Sequence, residues 1–286
     1  MRYRFLRFPE GKSKAVSFSY DDGCRSDMRL AQLFTQYGLK ATFNICSGLM
    51  GISEDGWHLT PEQIQKYILD PGHEVAIHGA HHRAPGKTRP VEGITDVLTC
   101  RTELENTFGH IIRGLAYPDS GIRNPENGGD YGTVRTYLQA LDIAYARGLG
   151  QENNSYLLPE DWYNWLPTCH HDSPRVFDHI STFLELDTRK QYLAVRSSRL
   201  LYIWGHSYEF QDKGNWDHME QICKTLSHRE DVWYATNMEI FDYVTDAGRL
   251  VYSADGRRIY NPTLTTIYLE TDGVTRRIIP GETVVL

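Results

Sequence analysis

Short apolar runs alternate with longer amphipathic stretches over most of this 286-residue chain, from Lys14 to about Val244. A short apolar run bounded by polar residues is typical of a strand buried on both faces. When such runs alternate with helix-length segments, the pattern predicts helices packed on a parallel sheet. The runs that predict strands are Ala15–Ser19, Ala41–Cys46, Glu74–His78, Arg113–Tyr117, Ile143–Arg147, Leu200–Gly205 and Val232–Ala235.

The stretches between these runs carry apolar residues three and four positions apart, which is the period of one helix face. Ile94, Val97 and Leu98 show this spacing in one of them. The number of strands then predicts an α/β fold, specifically a distorted or incomplete (β/α) barrel. The predicted helices are Asp27–Tyr37, Pro61–Leu69, Ile94–Phe108, Thr133–Leu141, Val176–Leu186 and Trp216–Ser227.

The sequence pattern changes after Asp246. Residues 247–286 are rich in strand-forming residues, and the Asp-Gly pairs at 255–256 and 272–273 are strong hairpin-turn signals. We therefore expect a barrel over residues 1–246 and a small β-hairpin appendage over residues 247–286. Because no low-complexity linker separates them, we expect the appendage to pack on the barrel.

Charge and hydropathy exclude several classes of partner. The net charge is −7 and no run of Lys or Arg exceeds a pair, so the basic surface of a nucleic-acid-binding protein is missing. No segment approaches the ~18 apolar residues of a membrane span, and the N-terminus has no apolar stretch typical of a signal peptide. The expected location is the cytoplasm, with export as the alternative if a signal peptide has been removed. The oligomeric state is left open.

Polar residues follow two of the predicted strands directly. Asp21 and Asp22 follow the first strand, and the histidine-rich segment from His78 to His82 follows the third. Because the carboxyl ends of parallel barrel strands share one face, we expect these groups to converge there. Each piece alone has a simpler interpretation, a solvated Asp-Asp-Gly turn or an incidental His-rich stretch. Together, at two strand ends, they favour a functional site.

One Asp oxygen and two neutral His nitrogens suit zinc or a similar borderline divalent ion with open coordination positions. The second carboxylate is then free to act as a base. The predicted cofactor is therefore a divalent metal, Zn²⁺ first and Co, Ni, Mn or Fe as alternatives.

The segment Phe18–Gly23, FSYDDG, resembles the first motif of the polysaccharide deacetylases with the NodB-homology domain, which are carbohydrate esterase family four. His78 and His82 match the family's His-x-x-x-His motif, and the resemblance extends over residues 14–244. It implies a hydrolase acting on carbon–nitrogen bonds other than peptide bonds. It also implies that Asp21 is the catalytic base and that Asp22 binds the metal together with His78 and His82.

The family's last motif, an apolar strand ending in His, is similar to Leu201–His206. This resemblance implies that His206 is the general acid that protonates the leaving amine. The alternative is that His206 only forms a hydrogen bond with a loop.

The third motif departs from the family's common pattern, because Ala116 stands where that pattern has Arg. The resemblance implies an oxyanion-binding backbone N–H near Asp119, with Tyr117 or Asp119 lining the cleft. Another cation is needed beside Asp21, and Arg147 is the candidate because it ends a neighbouring predicted strand on the same barrel face. The alternative is that Arg147 is a surface residue.

Two further segments remain open. Asp161-Trp162 could be the family's Asp-Trp motif, or part of a surface loop. For His170-His171, a cleft-lining or structural role is favoured over a second metal.

The predicted function is metal-dependent hydrolysis that removes an N-acyl group, acetyl above all, from an amino sugar or polysaccharide. An aromatic content of 12% suits a sugar-stacking cleft, although core packing also uses aromatic residues. One alternative is a cytoplasmic amidase acting on a non-sugar acylamine or ureide. The other is a catalytically inactive carbohydrate-binding protein.

Overall fold

The computed structural model describes residues 3–52, 56–119, 122, 130–149 and 151–286. Its strands in chain order are Arg4–Arg7 (β1), Lys14–Tyr20 (β2), Ala41–Ile45 (β3), Glu74–Ile77 (β4), Gly114–Ala116 (β5), Tyr145–Arg147 (β6), Cys169–His170 (β7), Arg199–Gly205 (β8), Val232–Tyr234 (β9), Val251–Tyr252 (β10), Arg258–Tyr260 (β11), Ile267–Thr271 (β12), Val274–Ile278 (β13) and Thr283–Val285 (β14). The helices are Asp27–Gln36 (α1), Pro61–Ile64 (α2), Pro90–Phe108 (α3), Tyr131–Ala140 (α4), Val176–Glu185 (α5), Tyr208–Lys213 (α6), Trp216–Leu226 (α7) and Asn237–Gly248 (α8).

One curled parallel sheet forms the main body. Its strand order is β6-β5-β4-β3-β2-β8-β7, and β9 also pairs with β2. The helices pack on this sheet, and the predicted α/β fold of an incomplete barrel is confirmed. Because all these strands run in the same direction, their carboxyl ends open on one face.

Strand β2 is the centre of the sheet. All seven of its residues are buried, as expected for an apolar strand of a parallel sheet. It pairs with β8 along its whole length, from Lys14 beside Arg199 to Tyr20 beside Gly205. On the other side it pairs first with β9 and then with β3.

The segment around Trp165 bridges the two edges of the curled sheet. Its backbone N–H donates to the Ala146 carbonyl at 3.0 Å, and its carbonyl accepts from Gly148 N at 3.0 Å, next to β6. Three residues further on, Thr168 N donates to the Tyr202 carbonyl of β8 at 2.6 Å. This short irregular connection links β6 to the β8 side of the sheet by single hydrogen bonds instead of regular strand pairing.

The C-terminal residues form two three-stranded antiparallel sheets, β1-β12-β13 and β10-β11-β14. The N-terminal strand β1 therefore belongs to the appendage sheet, because Arg4–Arg7 pairs in register with Tyr268–Thr271. Within this sheet Arg7 forms a buried ion pair with Glu270 at 2.9 Å. Tyr243 of α8 joins the two parts, since its hydroxyl donates to the Arg7 carbonyl at 2.6 Å and accepts from Tyr268 N at 3.0 Å.

The structure adds elements that the sequence pattern did not predict. Strand β7 is only two residues long, α6 has six residues, and α8 lies beyond the last predicted helix. The predicted helix Pro61–Leu69 is α2 followed by a π-helical turn over Gln65–Leu69. Within the described residues, no helix is long and apolar enough to cross a membrane.

Candidate functional site

The chain turns sharply where β2 ends. Asp21 continues the pairing with β8, because its backbone N–H donates to the Gly205 carbonyl at 3.1 Å. Asp22 and Gly23 then take left-handed conformations, with φ of 80° and 64°. A side chain on residue 23 would come within 2.9 Å of Ile45, so the turn requires glycine there. The turn leaves Asp21 buried in the barrel mouth and Asp22 half-buried at its edge.

The carboxylate of Asp21 is held at both oxygens. Arg147 Nη2 donates to Oδ2 at 2.5 Å, and Asn44 Nδ2 donates to Oδ1 at 2.8 Å. Both members of the Asp21–Arg147 ion pair are buried. The guanidinium also lies over the ring of Trp204, 4.8 Å from its centroid. The buried charge of Asp21 is therefore paired, hydrogen-bonded and fixed in position.

Arg147 stands beside the position where the sequence lacks the usual Arg. Ala116 of β5 and Arg147 of β6 are direct partners in the parallel pairing. The cation that β5 lacks at Ala116 is thus supplied by Arg147, its pairing partner on β6. The structure brings Arg147 to Asp21, as the strand-end argument expected.

His78 and His82 approach Asp22 from the end of β4. Their Nε2 atoms lie 3.5 Å and 3.4 Å from Asp22 Oδ1. His78 Nδ1 contacts the Ala116 carbonyl at 2.9 Å, and since a carbonyl only accepts, Nδ1 carries the proton. The unprotonated Nε2 then faces Asp22, which is the orientation that a metal-ligating His requires.

Asp96 of α3 holds the loop that carries these histidines. Its carboxylate accepts from Ala80 N and from His81 N, both at 3.1 Å. It also contacts His81 Nδ1 at 3.0 Å, and the His81 side chain is 64% exposed. His81 is therefore tied to Asp96, while the His78 and His82 rings face Asp22.

The electrostatics of the site favour an added cation. Burial raises the pKa of Asp22, but the hydrogen bond and charge of His78, with His206 and His82, outweigh this and the net pKa is lowered. Burial lowers the pKa of His78, but Asp21 and Asp22 outweigh it and the net pKa is raised. The two carboxylates thus draw positive charge to the His78 position.

His206 follows β8 and reaches the same mouth. Its Nε2 lies 3.9 Å from Asp21 Oδ2, and its Nδ1 contacts Glu209 Oε1 of α6 at 3.0 Å. Burial lowers the pKa of His206, but the hydrogen bond with Glu209 and the charges of Asp21 and Asp22 outweigh it, and the net pKa is raised. His206 is therefore suited to hold and donate a proton.

Other sequence candidates make their contacts elsewhere. The Tyr117 hydroxyl donates to the Tyr163 carbonyl at 2.8 Å, and Asp119 is an exposed residue with a φ of 53°. Asp161 accepts from Tyr163 N at 3.0 Å and from the Tyr131 hydroxyl. Trp162 packs on Trp165 and Phe241, with ring centroids 4.9 Å and 5.1 Å away. The structure does not bring Asp161 or Trp162 together with His206, whose carboxylate partner is Glu209.

Three residues of the site escaped the sequence argument. Asn44 is a polar residue inside the apolar run of β3, and Asp96 lies on the buried side of α3. Glu209 stands three positions after His206, in a helix that the pattern did not predict. A buried polar residue within an apolar run is the signal that could have identified Asn44. Asp96 and Glu209 needed the helix positions to be known.

Comparisons with known proteins bear on the family and the fold. The polysaccharide deacetylase family model matches residues 9–126. The match spans 118 of the 286 residues and agrees with the resemblance that the sequence motifs carry. The matched family consists of hydrolases of carbon–nitrogen bonds other than peptide bonds. No curated protein sequence matches it significantly.

Solved structures of this family share the fold. A putative polysaccharide deacetylase from Mycobacterium smegmatis has 17% identity and a TM-score of 0.56, over 87% of this chain and 96% of that one. The chitin deacetylase of Colletotrichum lindemuthianum has 13% identity and a TM-score of 0.51, over 82% and 89%. The match to the Streptococcus pyogenes deacetylase PplD is shorter, 47% of this chain and 54% of that one, with 18% identity and a TM-score of 0.40.

The family match covers Asp21, Asp22, His78 and His82 but ends before Arg147 and His206. The placement of Arg147 and His206 in the site therefore comes from the structure. Their roles are tested by the next two predictions.

We expect Arg147→Met to move the acid limb of the kcat/KM profile to higher pH, because a carboxylate that loses an adjacent cation binds a proton more readily. Arg147→Lys should shift it less, since it keeps the charge. Arg135→Met, which removes a half-exposed Arg, is the control and should leave the limb in place. An unmoved limb in Arg147→Met would show that Arg147 does not support Asp21.

We expect Glu209→Gln to lower the pKa of His206, because the imidazolium loses its anionic partner. The measurement is an NMR pH titration of the His206 ring in the metal-free protein. Asp212→Asn, an exposed carboxylate in the same helix, is the matched control. An unchanged His206 titration in Glu209→Gln would contradict the assigned pairing.

Proposed function

We propose that this protein is a metal-dependent N-deacetylase that acts on an amino sugar or a polysaccharide of amino sugars. One observation carries the proposal: the ligand atoms of Asp22, His78 and His82 gather within 4.8 Å of one another beside the buried Asp21–Arg147 pair. A candidate metal group and a separately held carboxylate are the two parts that metal-assisted amide hydrolysis needs.

The three residues fit a divalent ion. A tetrahedral zinc site with bonds of about 2.0–2.1 Å has ligand-to-ligand distances of about 3.3 Å. The distances from Asp22 Oδ1 to the two Nε2 atoms, 3.5 Å and 3.4 Å, are close to that value. The Ala116 carbonyl also fixes His78 in the tautomer that leaves Nε2 free. An ion held here supplies Lewis-acid activation of an acyl carbonyl and of water.

Asp21 is proposed as the base that takes a proton from the attacking water. Arg147 and Asn44 each occupy one of its oxygens, so the carboxylate cannot rotate away from the mouth. Arg147 is fully buried, and its ion pair with Asp21 orients the carboxylate toward the mouth.

His206 is proposed as the acid that protonates the departing nitrogen. Its Nδ1 is held by Glu209, so Nε2 faces the mouth on the side of Asp21. The raised pKa of His206 increases its protonated fraction near neutral pH. A base on one residue and an acid on another let proton removal and proton delivery proceed at separate atoms.

An aromatic wall beside His206 supports a sugar substrate. Tyr208 lies 5.3 Å from the His206 ring and 5.7 Å from Trp57, and Trp204 lies 5.6 Å from His206. All three aromatic side chains are half-buried, so each keeps an accessible surface. Large rings with an apolar face and a polar edge suit packing against a sugar ring. The chitin deacetylase with the same fold acts on such a polymer, and we extend that substrate class to this chain as part of the proposal.

We expect Asp22→Ala and His78→Ala each to lose the ion at this site, since each removes a ligand. His81→Ala should keep it, because His81 contacts Asp96 instead. Elemental analysis of the purified variants measures this. Full metal content at this site in both ligand variants would refute the assignment.

We expect Asp21→Asn to keep the metal but to lose about 10²-fold or more in kcat, the effect of removing a positioned general base. The assay is acetate release from N-acetylated amino sugars and their oligomers. Metal content of the same sample separates a loss of chemistry from a loss of binding. Near wild-type turnover in Asp21→Asn would exclude it as the base, and no acetate release by wild type from any such substrate would count against the proposed substrate class.

A further inference from the structure

A second group of metal-ligating side chains lies near His206. Among the described residues, His170, His171, Asp172 and Glu209 bring one ligand atom each within 4.8 Å of the others. The first three come from the end of β7 and the residues after it, and Glu209 comes from α6. None of the four belongs to the Asp22 group. Asp172 and Glu209 supply the two carboxylates of this group.

His171 is the residue that points to a ligand. It is completely buried, and neither of its ring nitrogens has a hydrogen-bond partner among the described residues. The ring is packed between Tyr20 and Phe210, with centroids 5.7 Å and 4.2 Å away, and a side chain at Gly205 would collide with it. Burying a polar group without a hydrogen-bond partner costs free energy. We therefore expect an imidazole buried in this way to bind a ligand.

Its free nitrogen faces two carboxylates. His171 Nε2 lies 3.1 Å from Glu209 Oε2 and 3.5 Å from Asp172 Oδ2. Glu209 Oε2 is itself buried without a hydrogen-bond partner. These distances bracket the value of about 3.3 Å between ligands around a tetrahedral ion.

His170 has a different role from His171. Its Nδ1 accepts from the backbone N–H of Asp172 at 3.1 Å, so in the neutral ring Nε2 carries the proton. That Nε2 lies 3.4 Å from Glu209 Oε2. A protonated nitrogen cannot bind a metal, but it can orient the carboxylate that does.

We propose that His171 Nε2, Asp172 Oδ2 and Glu209 Oε2 form a second divalent-cation site in this protein. With two oxygens and one nitrogen, this site offers a chemically harder set of ligand atoms than the Asp22 site, which has two nitrogens and one oxygen. The second site therefore favours Mn²⁺ relative to Zn²⁺ more than the first does. Glu209 is shared, because its other oxygen contacts His206.

Lys213 is a built-in competitor for this site. Its ammonium group contacts Asp172 Oδ2, and its side chain is 53% exposed. A divalent ion must displace this group from the oxygen that it binds. Because the exposed Lys side chain can move into solvent, the displacement needs no change in the barrel.

The test titrates the metal-free full-length chain with Mn²⁺ and separately with Zn²⁺, and calorimetry measures the binding. Elemental analysis after removal of free ion then counts the bound ions. We expect about two ions per wild-type chain and about one in either Asp22→Ala or Asp172→Asn. The double variant should bind none. Asp212→Asn is the matched control and should bind as wild type does. Lys213→Met should bind the second ion more tightly than wild type, because the competing ammonium is gone.

Asp172→Asn keeps the shape of a half-buried side chain, and circular dichroism and thermal unfolding verify its fold. Wild-type stoichiometry in a folded Asp172→Asn variant would overturn the second site. An ion retained by the double variant, or unchanged or weaker binding in Lys213→Met, would also overturn it. The two site assignments can be contradicted separately. Unchanged ion binding in Asp22→Ala counts against the proposed catalytic metal, whereas Asp172→Asn reports on the second ion alone.

Discussion

The site depends on the pairing of β2 with β8. These strands are about 185 positions apart in sequence, yet they run in register from Lys14 and Arg199 to Tyr20 and Gly205. The pairing extends one residue further, through Asp21 N and the Gly205 carbonyl. The proposed base and acid, Asp21 and His206, therefore stand at adjacent strand ends. A shift of one residue in this register would send alternate side chains to the other face of the sheet and separate the two groups.

Buried charge is the main physical cost of this arrangement. Asp21 and Arg147 are both removed from water, and an ion pair in such a place is stabilising only when its remaining polar atoms are well placed. Asn44 and the Trp204 ring offset part of this cost, but Arg147 Nε and Nη1 have no hydrogen-bond partner among the described residues. This incomplete satisfaction is typical of a functional site, where geometry is maintained at the expense of stability.

Glu209 links the two carboxylate–histidine groups of the barrel mouth. One oxygen contacts His206, and the other faces His170 and His171. Burial raises the pKa of Glu209, but the interactions with these three histidines outweigh it and the net pKa lies well below its ordinary value. The carboxylate therefore stays ionised. A group that binds it from the His171 side interacts with the same negative charge that holds His206.

The sequence by itself determined the parallel α/β architecture, because strand and helix periods are local properties of the chain. Every predicted strand of the barrel is present in the structure, with ends displaced by one or two residues. The short elements β7 and α6 could not be predicted, since two and six residues carry too little periodicity to stand out. The position of β1 in the appendage sheet was also hidden, because it rests on pairing with residues more than 260 positions away.

For the site, the sequence identified Asp21, Asp22, His78, His82 and His206, which all follow apolar runs directly. It also suggested Arg147, because a strand-end residue of a barrel has a known face. Only the tertiary structure decided that Ala116 and Arg147 are direct neighbours and that Glu209 meets His206. Contacts of this kind depend on the register between strands and on the packing of loops. Those relations are set by long-range burial and hydrogen bonding, and no local pattern records them.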